Sequence, residues 1–239
     1  MGIKEAILDI FFPEGITCII CGGEVRYRNR YSLCEDCKFE TNSGEICLRC
    51  GRAIKNAADY CEDCKNTKYS FDTARSALRY TGGTVRLVYG FKFGGKKYLL
   101  KHLAPLLADK LVETGWDADY LAYVPLSHER KRERGYNQAE VLARHVSEAL
   151  GIPVIDALIK NSHTPYQAKK SRTERFESIK GQYSAARKEE IKKKTIILID
   201  DVLTTAATAD ECAKTLRREC AEKVYVLTLA SALLKMPLA

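Results

Sequence analysis

Two stretches of this chain concentrate the residue types that do chemistry. One is residues 196–213, IILIDDVLTTAATADECA. An apolar run leads into Asp200 and Asp201, then into a turn of hydroxyl-bearing and small residues, Thr204, Thr205, Ala206, Ala207 and Thr208, then into a helical pattern. Where a parallel strand feeds a helix N-terminus, free backbone N–H groups collect and phosphate binds. Small residues let the backbone approach the anion closely, and the threonine hydroxyls add donors. The two aspartates carry the wrong charge to be phosphate ligands. Beside one, they are placed to accept hydrogen bonds from sugar hydroxyls, so acid pair and phosphate cup together describe a site for a ribose 5-phosphate.

The other stretch is the N-terminal third. Eight of the ten cysteines fall into four C-x-x-C pairs, Cys18/Cys21, Cys34/Cys37, Cys47/Cys50 and Cys61/Cys64. Two-residue spacing suits a tetrahedral metal knuckle and is a poor match to a disulfide framework. The unit C-x-x-C-G, spacer, C-E-D-C-K occurs twice, which reads as two tandem zinc ribbons, each too small to hold a core without its metal. The repeat favours one ion on Cys18, Cys21, Cys34 and Cys37 and another on Cys47, Cys50, Cys61 and Cys64, with an interleaved pairing left open. Thiolate softness admits iron as well as zinc, and zinc is the expectation. Reduced, metal-binding cysteines point to the cytoplasm.

The elements that must position these residues follow from periodicity. Thr73 to Tyr80 reads as an edge strand, Thr84 to Phe93 as a helix ending at Gly94-Gly95, and Leu99 to Leu111 as a second helix with a kink at Pro105. Tyr120 to Pro125 is a short apolar strand, and Ala139 to Leu150 a helix stopped by Gly151 and Pro153. Asn161 to Tyr183 is polar and weakly periodic; Thr195 to Ile199 reads as a buried strand, Ala209 to Arg218 as a helix carrying Cys212 and Cys220 toward the core, and Val224 to Ala230 as a last strand. Alternating strands and helices predict an α/β fold, a parallel sheet flanked by helices, over residues 69–239, with the double ribbon and a docking helix at Met1–Phe12 occupying residues 1–68. No apolar stretch reaches the roughly 20 residues of a membrane span. The formal charge of +8 falls to roughly +4 once eight thiolates hold two dications, a mild excess that suits a phosphate-rich small molecule as well as nucleic acid.

The segment around Asp200 and Asp201 resembles the phosphoribosyl-diphosphate signature of type I phosphoribosyltransferases. The resemblance implies that Asp200 and Asp201 hold the ribose 2′ and 3′ hydroxyls and that Thr204 to Thr208 wrap the 5′-phosphate. Ala206 stands where that pattern has glycine, a steric penalty if the turn needs positive φ. Purine-salvage members carry an acidic general base at the position of Thr204, which argues against a purine acceptor here. Leu126, Ser127 and His128 resemble the pyrophosphate loop, and 161–183 the hood loop, with Lys169, Lys170, Arg172 and Arg175 as its candidate contacts.

The whole chain resembles the ComF family, on the C-x-x-C-G knuckles, RERGYNQAEVLA, the stretch from Tyr166-Gln167 to Arg175 and the Asp200-Asp201 loop. That implies two structural zinc ions, phosphoribosyl diphosphate bound with Mg²⁺, and a role in DNA uptake. It leaves two readings: a phosphoribosyltransferase of unidentified acceptor, or a non-catalytic factor that uses the fold to bind single-stranded DNA or to dock a DNA-uptake helicase. Arg26, Tyr27, Arg28, Arg30 and Tyr31 interleave charge with aromatic rings as single-strand binders do. The doubled cysteine unit predicts two zinc ions per purified chain; metal analysis of freshly reduced protein returning values near zero would refute it.

Overall fold

The computed structural model describes residues 16–27, 29–54, 58–161 and 172–232. The docking helix expected at the N-terminus, Arg28, and Lys169 and Lys170 of the hood lie outside those residues.

The centre of the molecule is strand β5 (Thr195–Leu203), and its residue types explain why. Ile196, Ile197, Leu198 and Ile199 are all fully buried, which requires both faces of the strand to be covered. Its neighbours are β6 (Lys223–Ser231) on one side and β2 (Tyr120–Tyr123) on the other, with β1 (Thr73–Arg79) outside β6, giving the order β1-β6-β5-β2. All three pairings are parallel, as the alternation predicted. A further parallel bridge, Leu121 to Val154, extends the sheet past β2.

Ile197, Ile199 and Leu227 face a layer made by α2 (Gly82–Phe93), α3 (Leu99–Thr114) and α5 (Gln138–Leu150). Ile196, Leu198 and Val226 face the opposite layer, formed by α8 (Ala207–Arg218), the second ribbon and a small antiparallel pair, β3 (Leu158–Lys160) with β4 (Tyr183–Ala185). Helix α6 (Arg172–Ile179) lies between β3 and β4 in sequence and completes this hood; short α1 (Glu62–Asn66) belongs to the second ribbon, and short α7 (Lys188–Ile191) follows β4.

Several local outcomes differ from the sequence reading. β5 does not stop at Ile199 but continues through the two aspartates to Leu203, because β6 keeps pairing with it as far as Leu203↔Ser231. The basic run after Ser127 forms a short helix, α4 (His128–Arg134), capped by the Ser127 hydroxyl and closed by left-handed Gly135. Pro105 falls inside α3, where the leucine spacing placed it, and the helix runs on past Leu111 to Thr114. Cys212 is buried as expected, but Cys220 lies beyond the end of α8, exposed and with φ +63°. No described helix is long and apolar enough to cross a membrane.

The two ribbons are equivalent in sequence and unlike in place. The first rests on α3: Tyr31 donates its hydroxyl to Asp109 at 2.5 Å, Arg30 pairs with the same carboxylate at 2.6 Å, and Ser32 meets His102 at 3.0 Å. The second is part of the main core, where Cys47, Cys50, Cys61 and Cys64 pack with Tyr69, Phe71, Ala74 and α8. Gly51, at φ +68°, approaches β1 so closely that a Cβ would lie 2.4 Å from the Ala74 carbonyl oxygen, so only glycine fits. The connection between the ribbons seals the outer edge of β1, with Asn42 N donating to Ala77 O and Arg79 N to Glu40 O.

This asymmetry predicts unequal costs for losing a cysteine from each ribbon. Cys47→Ser should lower the unfolding midpoint of the whole protein by about 5–10 °C, and Cys18→Ser by clearly less. The single tryptophan, Trp116, stacks on Tyr225 of β6 at 4.4 Å and reports the sheet's unfolding; equal shifts in its fluorescence transition for the two variants would contradict the asymmetry.

Candidate functional site

β5 delivers its two acids at the carboxyl edge of the sheet, and strand alternation sends them to opposite faces. Asp201 turns toward α2, where Lys92 reaches it at 2.8 Å. Asp200 turns toward the hood and α8, and accepts the backbone N–H of Asp201 at 2.8 Å. Burial, and then the charge of Asp201, push the Asp200 carboxyl up to about 7; Lys92 and Lys160 offset this only in part. These carboxylates are thus strand residues rather than members of an exposed loop.

The turn that follows has the features of an anion cup. Ala206 is the N-cap of α8 and adopts φ +67°, ψ +2°, the left-handed conformation that glycine takes freely and alanine only at about 1 kcal/mol. N-caps are usually Ser, Thr, Asp or Asn, whose oxygen satisfies a first-turn N–H. Ala206 has no such oxygen; the Thr205 hydroxyl lies 3.5 Å from Ala207 N, and the next N–H groups have no cap from residue 206, an arrangement suited to an anion. The acids near the start of α8 point elsewhere: Asp210, in its first turn, accepts from Ser70 N at 2.5 Å, and Glu211 from Gly181 N at 2.8 Å. They fasten the helix start to the linker and the hood without opposing the cup.

The parallel register of β2 with β5 brings a second segment to the same edge, with Val124 N donating to Ile199 O at 3.0 Å. Leu126, buried Ser127 and His128 follow directly. Asn137 holds this turn, donating to Val124 O at 3.0 Å while capping α5. Arg175 lies on α6, where neighbouring Phe176 packs 6.3 Å from Tyr69. The structure therefore assembles Asp200, Asp201, 204–208 and 126–128 at one sheet edge, with Arg175 on the hood.

Sequence reasoning missed two cations there. Lys92, in the run Phe91-Lys92-Phe93, closes α2 and lines a cleft of about 250 Å³ with Gly95, Arg134 and Tyr136. Lys160, on β3, lies over the Tyr183 ring at 5.3 Å and faces Asp200; burial, and then Arg130, lower its pKa. The run Phe91-Lys92-Phe93 offered no more than a lysine between two aromatics, of which Phe91 is buried and Phe93 exposed. Nothing local marked Lys160.

In the ribbons, the eight thiols form two groups, Cys18, Cys21, Cys34, Cys37 and Cys47, Cys50, Cys61, Cys64, each with its sulfurs within 4.8 Å of one another. The sequential pairing holds and the interleaved one does not. A tetrahedral zinc with Zn–S near 2.3 Å sets its sulfurs about 3.8 Å apart, and Cys21–Cys34 and Cys50–Cys61 each measure 3.7 Å. Crowding also splits the thiols electrostatically. The hydrogen bond from Cys50 brings Cys61 down to about 6, while the one with Cys47 pushes Cys64 up to about 12, a conflict that a dication resolves. The residues fit two zinc ions. Of the Arg-Tyr stripe, Arg30 and Tyr31 are occupied with Asp109, and Tyr27 is exposed.

Residues 7–65 match the double zinc ribbon domain family, and residues 136–235 the phosphoribosyl transferase domain family. Over 222 residues the chain is 31% identical to competence protein F of Haemophilus influenzae, covering 90% of this chain and 96% of that protein. The chain belongs to the competence protein F family. Other members include competence protein ComFC of Bacillus subtilis, 28% identical over 84% of this chain and 88% of that one. DNA utilization protein YhgH of Salmonella typhi is 28% identical over 90% of each. The fold of this competence protein F relative is that of a type I phosphoribosyltransferase with an N-terminal double zinc ribbon.

The raised pKa of Asp200 carries a sign. A carboxylate whose folded pKa exceeds its unfolded one favours folding when protonated, and that contribution is lost as pH climbs from about 4 through about 7. Asp200→Asn should therefore unfold about 3–8 °C above wild type at pH 8, with the gap closing toward pH 5. An equal gap at both pH values would show that Asp200 is not held protonated by its surroundings.

Proposed function

We propose that the domain binds phosphoribosyl diphosphate as its Mg²⁺ complex and acts as a phosphoribosyltransferase in support of DNA uptake. The observation that carries this reading is the end of β5: two carboxylates on the strand, then a left-handed, side-chain-free cap opening α8. In this reading the N–H groups of 205–208 hold the 5′-phosphate, and Asp200 and Asp201 accept from the ribose hydroxyls. Ser127 and its turn take the diphosphate, and Lys92 and Arg134 add positive charge on the Asp201 side. Mg²⁺ would enter with the diphosphate and supply charge neutralisation. As the bond from ribose C1 to the diphosphate oxygen breaks, the electron pair leaves with the diphosphate. The sugar carbon becomes cation-like, Asp200 and Asp201 lie on its hydroxyl side, and an acceptor nucleophile adds to C1. The competence and DNA utilization names of the relatives support the DNA-uptake setting, and zinc ribbons are suited to docking a helicase partner or single-stranded DNA.

Calorimetric titration with phosphoribosyl diphosphate and Mg²⁺ tests it. Wild type should bind, and Asp201→Asn should bind roughly tenfold to a hundredfold more weakly, the value of a charged hydrogen bond. Ala206→Gly should bind as well as wild type or better, since glycine relieves the turn. No binding by wild type or by Ala206→Gly would overturn the assignment; binding by Ala206→Gly alone would mark a site that has lost its ligand.

A further inference from the structure

Arg52 is a buried arginine that the site described above does not use. It lies two residues past Cys50, the end of the Cys47–Cys50 knuckle, and is 2% exposed. One terminal nitrogen donates to Asp63 Oδ2 at 2.9 Å, and Asp63 lies between Cys61 and Cys64. The other donates to the backbone carbonyl oxygen of Thr204, the first residue of the anion turn. The Arg52 carbonyl accepts from Cys47 N at 2.8 Å, and the preceding Gly51 is wedged against β1 while its own carbonyl accepts from Asn42 Nδ2 at 2.6 Å. The guanidinium is therefore braced by both knuckles of the second ribbon before it reaches the turn.

What it holds there is the plane of one peptide group. In a trans peptide the C=O and the following N–H point in opposite directions. With the Thr204 oxygen drawn inward to Arg52, the Thr205 N–H faces away from Arg52, toward the open side of the turn. A flipped peptide would aim a carbonyl dipole at any bound anion. Arg52 is suited to this task because its planar fork serves Asp63 and Thr204 together, which a single ammonium cannot do with the same geometry.

We infer that Arg52 is a positioning residue that makes anion binding at the Thr204–Thr208 turn conditional on an ordered second cysteine tetrad, so that metal in that ribbon and phosphate at the turn reinforce each other. The inference rests on the phosphate reading of the turn for its ligand but not for its structural half. Coupling of this kind is reciprocal: if metal tightens ligand, ligand must slow metal loss by the same linkage.

Zinc-loaded full-length protein, Arg52→Lys and Asp63→Asn provide the test, the second variant loosening the brace while leaving Arg52 in place. Each is checked for two zinc ions per chain and for the Trp116 transition. Amide hydrogen exchange is then followed in the peptide spanning 203–209, with β6 as reference. Exchange in that peptide should quicken about tenfold in Arg52→Lys and less in Asp63→Asn. Chelating the metal from wild type should reproduce the effect and add little to Arg52→Lys, since both break one link. In parallel, phosphoribosyl diphosphate with Mg²⁺ should slow zinc transfer to a chromophoric chelator in wild type and not in Arg52→Lys, whose ligand affinity should fall about tenfold or more. Wild-type exchange at 203–209 together with undiminished ligand protection of zinc in Arg52→Lys would overturn the proposal. If wild type takes no ligand, the function proposed above fails, and the exchange measurement alone decides the role of Arg52.

Discussion

The arrangement turns on one electrostatic constraint: two adjacent carboxylates must stand at one strand end, beside the open N-terminus of α8. β5 meets it through the alternation of a strand. By carrying the pairing on past Ile199, β6 keeps Asp200 and Asp201 in extended backbone, so they leave opposite faces: Asp201 pairs with Lys92 on α2, while Asp200 is buried on the hood side, where the charges of Lys92 and Lys160 offset its burial only in part. A strand with functional groups on both faces needs a layer on each. The requirement for α2, α3 and α5 below and for α8, hood and ribbon above follows from it.

The ribbons illustrate how a sequence repeat can conceal a division of labour. Both carry the same cysteine spacing and each gathers four thiols, yet one sits on a helix through Asp109 and His102, and the other contributes its sulfurs to the main core. The difference comes from what each knuckle meets. Gly51 can press against the Ala74 carbonyl; Gly22, in the corresponding place, has nothing within 4 Å of where a Cβ would lie.

Much of this was legible in the sequence because its causes are local. Cysteine spacing gave the tetrads, apolar runs gave the strands, and acids followed by small residues gave the turn, including the awkward conformation at Ala206. What was not legible depends on partners far along the chain. Lys92 looks like any helix-end lysine until β5 is laid beside α2. Arg52 looks like a ribbon surface residue until its bond to Thr204, 152 positions away, is known. The end of β5 was misjudged because charge suggests a loop, whereas pairing with β6 overrides it. Cys220 was misjudged because helical spacing was continued past the point where α8 ends.

The sealed edge of β1 bears on how the chain assembles. β1 emerges early, while its strand partner β6 is the last strand of the sheet. An edge with unmet N–H and C=O groups invites pairing with other chains during that wait. Residues 40–42 and Arg49, which precede β1, already supply partners to Ala74, Ala77 and Arg79. A metal-nucleated segment made before the strand can thus act as its chaperone in cis, covering the outer edge during synthesis and leaving only the inner one to wait for β6.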